Sequence, residues 1–416
     1  MISAQHFYRL WLFVLAASGW IELPVGLSQE PSPQGGVAFD IQSLSRPPEI
    51  FPTDMLSEEG VQSIFYRGAP YQGNETQVFA YYGLPKRSDL SEKVPAVVLV
   101  HGGGGTAFAR WVRLWNDRGY AAIAMDLCGC IPKQSSAGGW ERNAKGGPPG
   151  WDASFEQIDA PIEDQWQTHA ISAIVLANSW LRSLPEVDSD RIGITGISWG
   201  GYLTCIASGV DDRFRCAVPV YGCGFLGENS VWVPTLQRMD PARAKRWLDQ
   251  WDPSVYLPKS KMPILWVNGT NDFAYPMDSW QRSHRLRGAS TLSLRIEMPH
   301  GHGPAGENPE EIHVFMNSIL KGGEPLPSLI EILGEGPHWS ARFRSPVPIE
   351  KGELCFTRDG GNWKDRKWIA MEARLTQESI SIDVPADATV WYFNLVDDRG
   401  CATSTPFHER RIVREK

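Results

Sequence analysis

Ser198 stands in the heptapeptide TGISWGG, residues 195–201, with a glycine two positions before it and another two positions after. A hydroxyl is a weak nucleophile near neutral pH and must be both exposed and paired with a base. Gly196 and Gly200 carry no side chain, so a chain passing from strand to helix turns there tightly enough to present the Ser198 hydroxyl. The competing reading is a glycine-rich helix start that only packs against a sheet, and it asks for no base elsewhere in the chain.

A base is available. In the chain order nucleophile, acid, base, the histidine follows the last strand of the sheet. Of the nine histidines, His300, His302, His313, His338 and His408 lie beyond the strand-like run 292–298. His313 falls within a helical period, and His338 and His408 belong to the C-terminal segment, which leaves the loop MPHGHGPAG. His302 is favoured as the base, because the glycine after it and its distance from the strand end free the imidazole to reach back over the sheet; His300 is the reserve. Asp272, in PILWVNGTNDFAYP after the preceding strand, is the acid that would orient the imidazole and stabilise its charged form. Asn271 cannot carry that charge, and Asp278, opening the next helix, is read as a partner of the helix dipole.

The developing oxyanion needs donors. After the run 95–100 comes HGGGG, His101–Gly105, whose bare backbone can aim the amides of Gly103 and Gly104 at it, with the Trp199 N–H as a further donor. This glycine run has neither the Lys-Ser/Thr of a phosphate loop nor G-x-G-x-x-G spacing. His300 and His302 have the spacing of metal ligands, yet no third ligand stands near them, so neither metal nor cofactor is expected.

The elements needed to hold these residues are legible from about residue 59. Eight runs of strand length (GVQSIFYRGA, ETQVFAYYGL, PAVVLV, AAIAMDL, RIGITG, RCAVPVYG, PILWVNG and LSLRIEM) alternate with helical periods over 107–118, 161–182, 200–208, 241–250, 277–286 and 308–320. That alternation predicts an α/β fold with a mostly parallel eight-stranded sheet covered by helices on both faces, the first two strands pairing antiparallel at one edge. The Gly- and Pro-rich stretch 131–160 is too long for a plain connection and carries Trp140 and Trp151, placed here as substrate-binding residues. After residue 322 helical periods stop, and short strand-like runs with turn signals predict an all-β sandwich of immunoglobulin or fibronectin type. Its Trp363, Trp368 and Trp391 are assigned to sandwich core, and Trp180, Trp247, Trp251 and Trp266 to the core of the larger domain.

Composition narrows the class. The chain has 416 residues, 42% hydrophobic and 21% charged, enough apolar mass for a core, and its net charge of -8 without a basic block excludes a nucleic-acid surface. An 11-residue apolar run at 11–21 is too short to cross a bilayer and fits a secretory leader cleaved after Ser28, so an exported protein, secreted or periplasmic and without membrane insertion, is expected. The resulting division is a leader at 1–28, an extension at 29–54, the α/β domain at 55–322 and the β module at 323–416. Seven cysteines cannot all pair; Cys355 and Cys401, both in the module, are the candidates for one bridge. The sequence leaves the oligomeric state open.

Together HGGGG, GISWGG, NGTND and HGHG resemble the α/β-hydrolase superfamily in its serine-esterase and prolyl-oligopeptidase-like branch, and PEVDSDRIGITGISWGGYLT resembles acetyl xylan esterases and acylaminoacyl-peptidase-like members. The resemblance covers residues 55–322. It implies cofactor-independent hydrolysis through an acyl-enzyme, with Ser198 as nucleophile, Asp272 as acid, His302 as base, and Gly103, Gly104 and Trp199 at the oxyanion. The expected substrate is an acylated carbohydrate or another small ester, met by Trp140, Trp151 and Trp199. The alternatives are a prolyl-oligopeptidase-like peptidase, a dienelactone-type hydrolase, and a polysaccharide-binding protein with a degenerate hydrolase domain. The role of the module stays open at this point: a truncation near residue 325 that keeps activity on soluble esters but loses binding to insoluble polymer would make it an accessory, and unchanged binding would remove that role.

Overall fold

Runs such as VPAVVLV and AAIAM have no polar face, so they are stable only where both sides of a sheet are covered. In the computed structural model they form the middle of a nine-stranded sheet: β1 (Ile50–Glu58), β2 (Val61–Arg67), β3 (Gln77–Gly83), β4 (Val94–Val100), β5 (Ala121–Met125), β6 (Val187–Ile197), β7 (Cys216–Val220), β8 (Ile264–Gly269) and β9 (Ser290–Arg295). The spatial order is β1-β2-β3-β5-β4-β6-β7-β8-β9. Pairs from β1 to β3, and β3 with β5, are antiparallel; from β5 to β9 every pair is parallel. Every residue of β4, β5, β7 and β8 is buried. The structure describes residues 35–410 apart from 90, 134–138 and 288–289, so the expected leader lies outside the described residues.

The ninth strand corrects the expected eight. IFPTDMLSE has a proline and mostly exposed positions, which hides it from a hydrophobic-period reading; Pro52 is tolerated because β1 lies at the sheet edge. The helices fall where the periods place them: α1 (Ala109–Asp117), α2 (Trp166–Ser183), α3 (Trp199–Val210), α4 (Pro241–Trp251), α5 (Met277–Arg285) and α6 (Glu310–Leu320). Trp180, Trp247, Trp251 and Trp266 are buried, as assigned.

The C-terminal segment forms two antiparallel sheets, one from 328–335, 338–344, 374–375 and 379–383, the other from 349–357, 368–372, 390–397, 402–404 and 408–409. The described residues belong to one compact unit, and the module covers what would otherwise be the open edge of β9. Leu294 N–H donates to Ser404 Oγ (2.7 Å), while Leu294 O accepts from Asn394 Nδ2 (3.1 Å) and Tyr392 OH (3.3 Å). Gln281 of α5 bonds both the N–H (2.9 Å) and the carbonyl (3.0 Å) of Phe407. Ala402 N–H donates to the buried Glu311 carboxylate of α6 (2.8 Å). An exposed strand edge is a row of unpaired amides, and here side chains of the module satisfy it. Trp363 and Trp368 correspondingly sit in the apolar cluster shared with the α/β sheet rather than in the module's own core, where Trp391 packs with Phe343 and Phe356. Cys355 and Cys401 are separate buried thiols, so the expected bridge is absent; Cys355 instead lies against Asn394 Nδ2 at 3.6 Å.

Burial of histidine gives a first testable consequence. His101, His169, His284 and His313 are buried, and loss of solvation pushes their protonation down to about 3, 4, 3 and 3. Unfolded imidazoles take protons near pH 6.5, so on acidification from there to about pH 4 the unfolded chain gains protons that the folded chain refuses, and stability falls. Asp126, raised to about 6 by burial, opposes this by holding in the fold a proton that the unfolded chain releases above about 3.8. These five groups leave about three net protons, about 4 kcal/mol of stability per pH unit near pH 5, and His302 and His408, whose protonation burial also lowers, act in the same direction. The thermal midpoint, followed by calorimetry, is expected to drop steeply between pH 6.5 and 4.5; a flat profile would contradict the neutral burial of these rings.

Candidate active site

Ser198 joins β6 to α3 with φ 57° and ψ -119°, a conformation disfavoured for a residue with a side chain and held only because its surroundings enforce it. Two glycines allow the enforcement. A Cβ on Gly196 would stand 2.2 Å from Gly200 O, and one on Gly200 would stand 2.0 Å from Val100 O. The elbow is pinned by Ser198 N–H donating to Val220 O (2.9 Å). The next amide, of Trp199, is the first of α3 and has no carbonyl one turn back to receive it.

Asp272 follows β8 and is buried, its Oδ1 accepting from the amides of Ala274 (2.9 Å) and Tyr275 (2.7 Å). Its Oδ2 lies 2.6 Å from His300 Nδ1, and His300 Nε2 lies 2.9 Å from Ser198 Oγ. With Nδ1–H donated to the carboxylate, Nε2 is free to accept the serine proton, which is the arrangement acyl transfer requires. Asp278 instead meets Asn229 on the surface.

The geometry therefore assigns the position between serine and acid to His300 and not to the favoured His302. The reason lies in the strand end: β9 stops at Arg295, so residues 296–299 already carry the chain back over the sheet and His300 needs no further length. Tyr221 stacks on its ring (4.5 Å, 28°) and donates its hydroxyl to Pro299 O (2.7 Å), while Phe273 covers another side (4.8 Å) and remains 52% exposed. Burial and the Asp272 carboxylate both push the Tyr221 phenol up, so it stays a neutral donor. His302 points elsewhere, to Gly102 N–H and Glu307. Sequence reasoning missed Tyr221, Phe273 and Glu307; only the φ of 63° at Tyr221 marks it as special, and that is invisible in the sequence.

The HGGGG loop lies across the elbow. A Cβ on Gly102 would meet Ile197 O at 2.6 Å and Ser198 Cβ at 3.1 Å, and one on Gly103 would meet the Trp199 ring at 2.9 Å. His101 is buried and bonds its own loop, Nδ1 to Gly102 O (2.9 Å), and the next, accepting from Leu127 N–H (3.0 Å) at Nε2. Asp126 braces the same junction through Thr106 Oγ1 (2.9 Å) and the amides of Cys128 and Cys130. The Trp151 indole comes next to Gly103 and meets Trp140 edge to face (5.9 Å), with Trp140 exposed. The Trp199 side chain does not face the site: it is buried among Phe155, Trp166, Tyr202 and Trp232. Beside the acid, Asn271 Nδ2 donates to Lys364 O (3.0 Å) and Arg366 O (2.6 Å), so a module loop holds the residue adjacent to Asp272. Among the described residues no three His, Cys, Asp or Glu side chains gather as metal ligands.

A serine, an imidazole and a carboxylate in series at the strand ends of this sheet define a serine hydrolase of α/β-hydrolase fold. Residues 155–317 match the model of the prolyl oligopeptidase family. Over that part of its length the chain resembles the prolyl oligopeptidase family, and it shares the α/β-hydrolase fold with acetyl xylan esterases of known structure. A probable dipeptidyl-peptidase 5 of Aspergillus flavus is 24% identical over 263 residues, 59% of this chain and 32% of that protein. The dipeptidyl-peptidase 5 of Porphyromonas gingivalis is 24% identical over 217 residues, 46% of this chain and 27% of that one. The chain thus spans about a third of the length of the curated relatives it matches. Among solved structures, an acetyl xylan esterase from Paenibacillus sp. R4 superposes with a TM-score of 0.53 at 21% identity, covering 67% of this chain and 92% of that one. Acetyl xylan esterase 1 from Thermoanaerobacterium sp. JW/SL YS485 gives 0.50 at 16%, covering 69% and 96%.

Proposed function

We propose that this serine hydrolase is an exported carboxylic-ester hydrolase that removes small acyl groups, acetyl foremost, from a polysaccharide or its oligomers. Ser198 attacks the ester carbonyl as His300 takes its proton; the amides of Gly103, Gly104 and Trp199 receive the oxyanion; His300 then protonates the leaving alcohol, and water repeats the sequence on the acyl-enzyme. The observation that carries the substrate reading is the Trp140–Trp151 pair beside Gly103, one ring exposed, which offers a sugar ring an aromatic face next to the reacting centre. Export rests on the apolar leader at 11–21, and among the described residues no helix is long and apolar enough to cross a membrane. The module, two antiparallel sheets, is read as an immunoglobulin- or fibronectin-like sandwich.

A peptidase is the second reading, favoured by the dipeptidyl-peptidase relatives. The two are separated by kcat/KM on acetylated xylo-oligosaccharides and on aminoacyl and dipeptidyl anilides, with Ser198→Ala as the blank. Acetate release at least about 100-fold more efficient than anilide cleavage, a difference of about 2.7 kcal/mol in transition-state binding, is expected. Preference for the anilides would overturn the esterase reading and leave the serine mechanism intact.

A further inference from the structure

The second histidine of HGHG is committed at both ring nitrogens. His302 Nε2 stands 3.0 Å from Gly102 N, and Nδ1 stands 3.1 Å from Glu307 Oε1. A backbone N–H only donates, so Nε2 must be the acceptor and the ring proton must sit on Nδ1, directed at the carboxylate. Glu307, on the short turn 304–307, is itself fixed by Arg110 of α1 at 2.6 Å and 3.2 Å. The ring is held between Phe108 (4.6 Å) and Trp111 (5.7 Å). Its partner amide begins the glycine run: Gly102 presses on Ile197 and Ser198, and its carbonyl accepts from Gly105 N–H (3.2 Å), closing the turn that contains Gly103 and Gly104.

We infer that His302 is a positioning residue for the oxyanion site: by accepting the Gly102 N–H it orients the peptide units of Gly103 and Gly104, and the Arg110–Glu307 pair holds it in the one tautomer that can accept. The inference rests on the proposed role of those two amides. It gives a function to a histidine that stands two residues from the base and never touches the reacting atoms. It also makes the loop sensitive to protonation, since an imidazolium would set an N–H against the Gly102 N–H. The charged and titratable groups facing His302 are Glu307 from its turn, Arg110 from α1, His101 from the end of β4 and His300 from the same loop. Burial pushes its protonation below the ordinary imidazole range in spite of Glu307, which keeps the accepting form present near neutrality.

Two substitutions separate positioning from packing. The amide of His302→Asn occupies the place of Nδ1 and keeps a donor for Glu307, but it leaves Gly102 N–H unpaired. That of His302→Gln reaches the place of Nε2 and restores an acceptor. Rates are normalised to the sites that label at completion with a fluorophosphonate, so unfolded protein does not count. His302→Asn is expected to lose at least about 30-fold in kcat with KM within about twofold, and His302→Gln to recover to within about fivefold of the parent, because loss of aligned oxyanion donors is felt in the transition state. Equal losses in the two variants, or a loss carried by KM, would overturn the inference. Failure of the serine-hydrolase reading would look different, as activity surviving in Ser198→Ala.

Discussion

His300→Ala is expected to lower kcat/KM for any ester substrate by about 10,000-fold or more, with the fold intact. The ring bridges Asp272 at 2.6 Å and Ser198 at 2.9 Å, and among the described residues no other base bonds the Ser198 hydroxyl. Without it Ser198 keeps its proton near neutral pH, while the elbow, built from Gly196, Gly200 and the amide of Ser198, does not depend on the imidazole. Circular dichroism and the thermal midpoint should therefore stay close to those of the parent. If His300→Ala retained a tenth of the activity and His302→Ala abolished it, the assignment of the base would be reversed.

The second large effect is structural. Ending the chain at residue 325 is expected to yield aggregated protein, not a free-standing esterase. The cut strips partners from both backbone groups of Leu294 and from the Gln281 side chain, takes one from the Glu311 carboxylate, which keeps Arg295 and Ser293, and bares the apolar surface around them, where each large buried side chain laid open costs about 1.5–3 kcal/mol. It exposes the edge of β9 and removes Trp363, Trp368 and Tyr392 from the shared cluster. It also releases Asn271, next to Asp272, from Lys364 and Arg366. A domain stable by 5–15 kcal/mol does not absorb several such losses. Size-exclusion chromatography of the truncated chain decides: a monodisperse, active product would show that the module is an accessory after all.

These two results mark where the sequence was informative. Ser198 and Asp272 were legible because their signal is local: a strand, a tight turn and the start of a helix are written in consecutive residues, and the all-buried strands have no competing reading. His300 and His302 are two residues apart in one loop, and what separates them is long-range: Tyr221 after β7 stacks on one, while Phe108 and Glu307 claim the other. The union of module and sheet was hidden for the same reason, because it is made by Ser404, Asn394 and Tyr392 reaching a single residue, Leu294, with no pattern of their own. The first strand was missed because an edge strand with a proline has no hydrophobic period.

The most direct test of the mechanism is mass spectrometry of the intact protein and its peptides after reaction with a fluorophosphonate. The arrangement of Ser198, His300 and Asp272 predicts a single adduct per chain, located on Ser198 within the peptide containing ITGISWGGYLTC, formed rapidly in the parent and slowed by orders of magnitude in His300→Ala. An adduct on any other residue, or equal labelling rates in the two proteins, would contradict it.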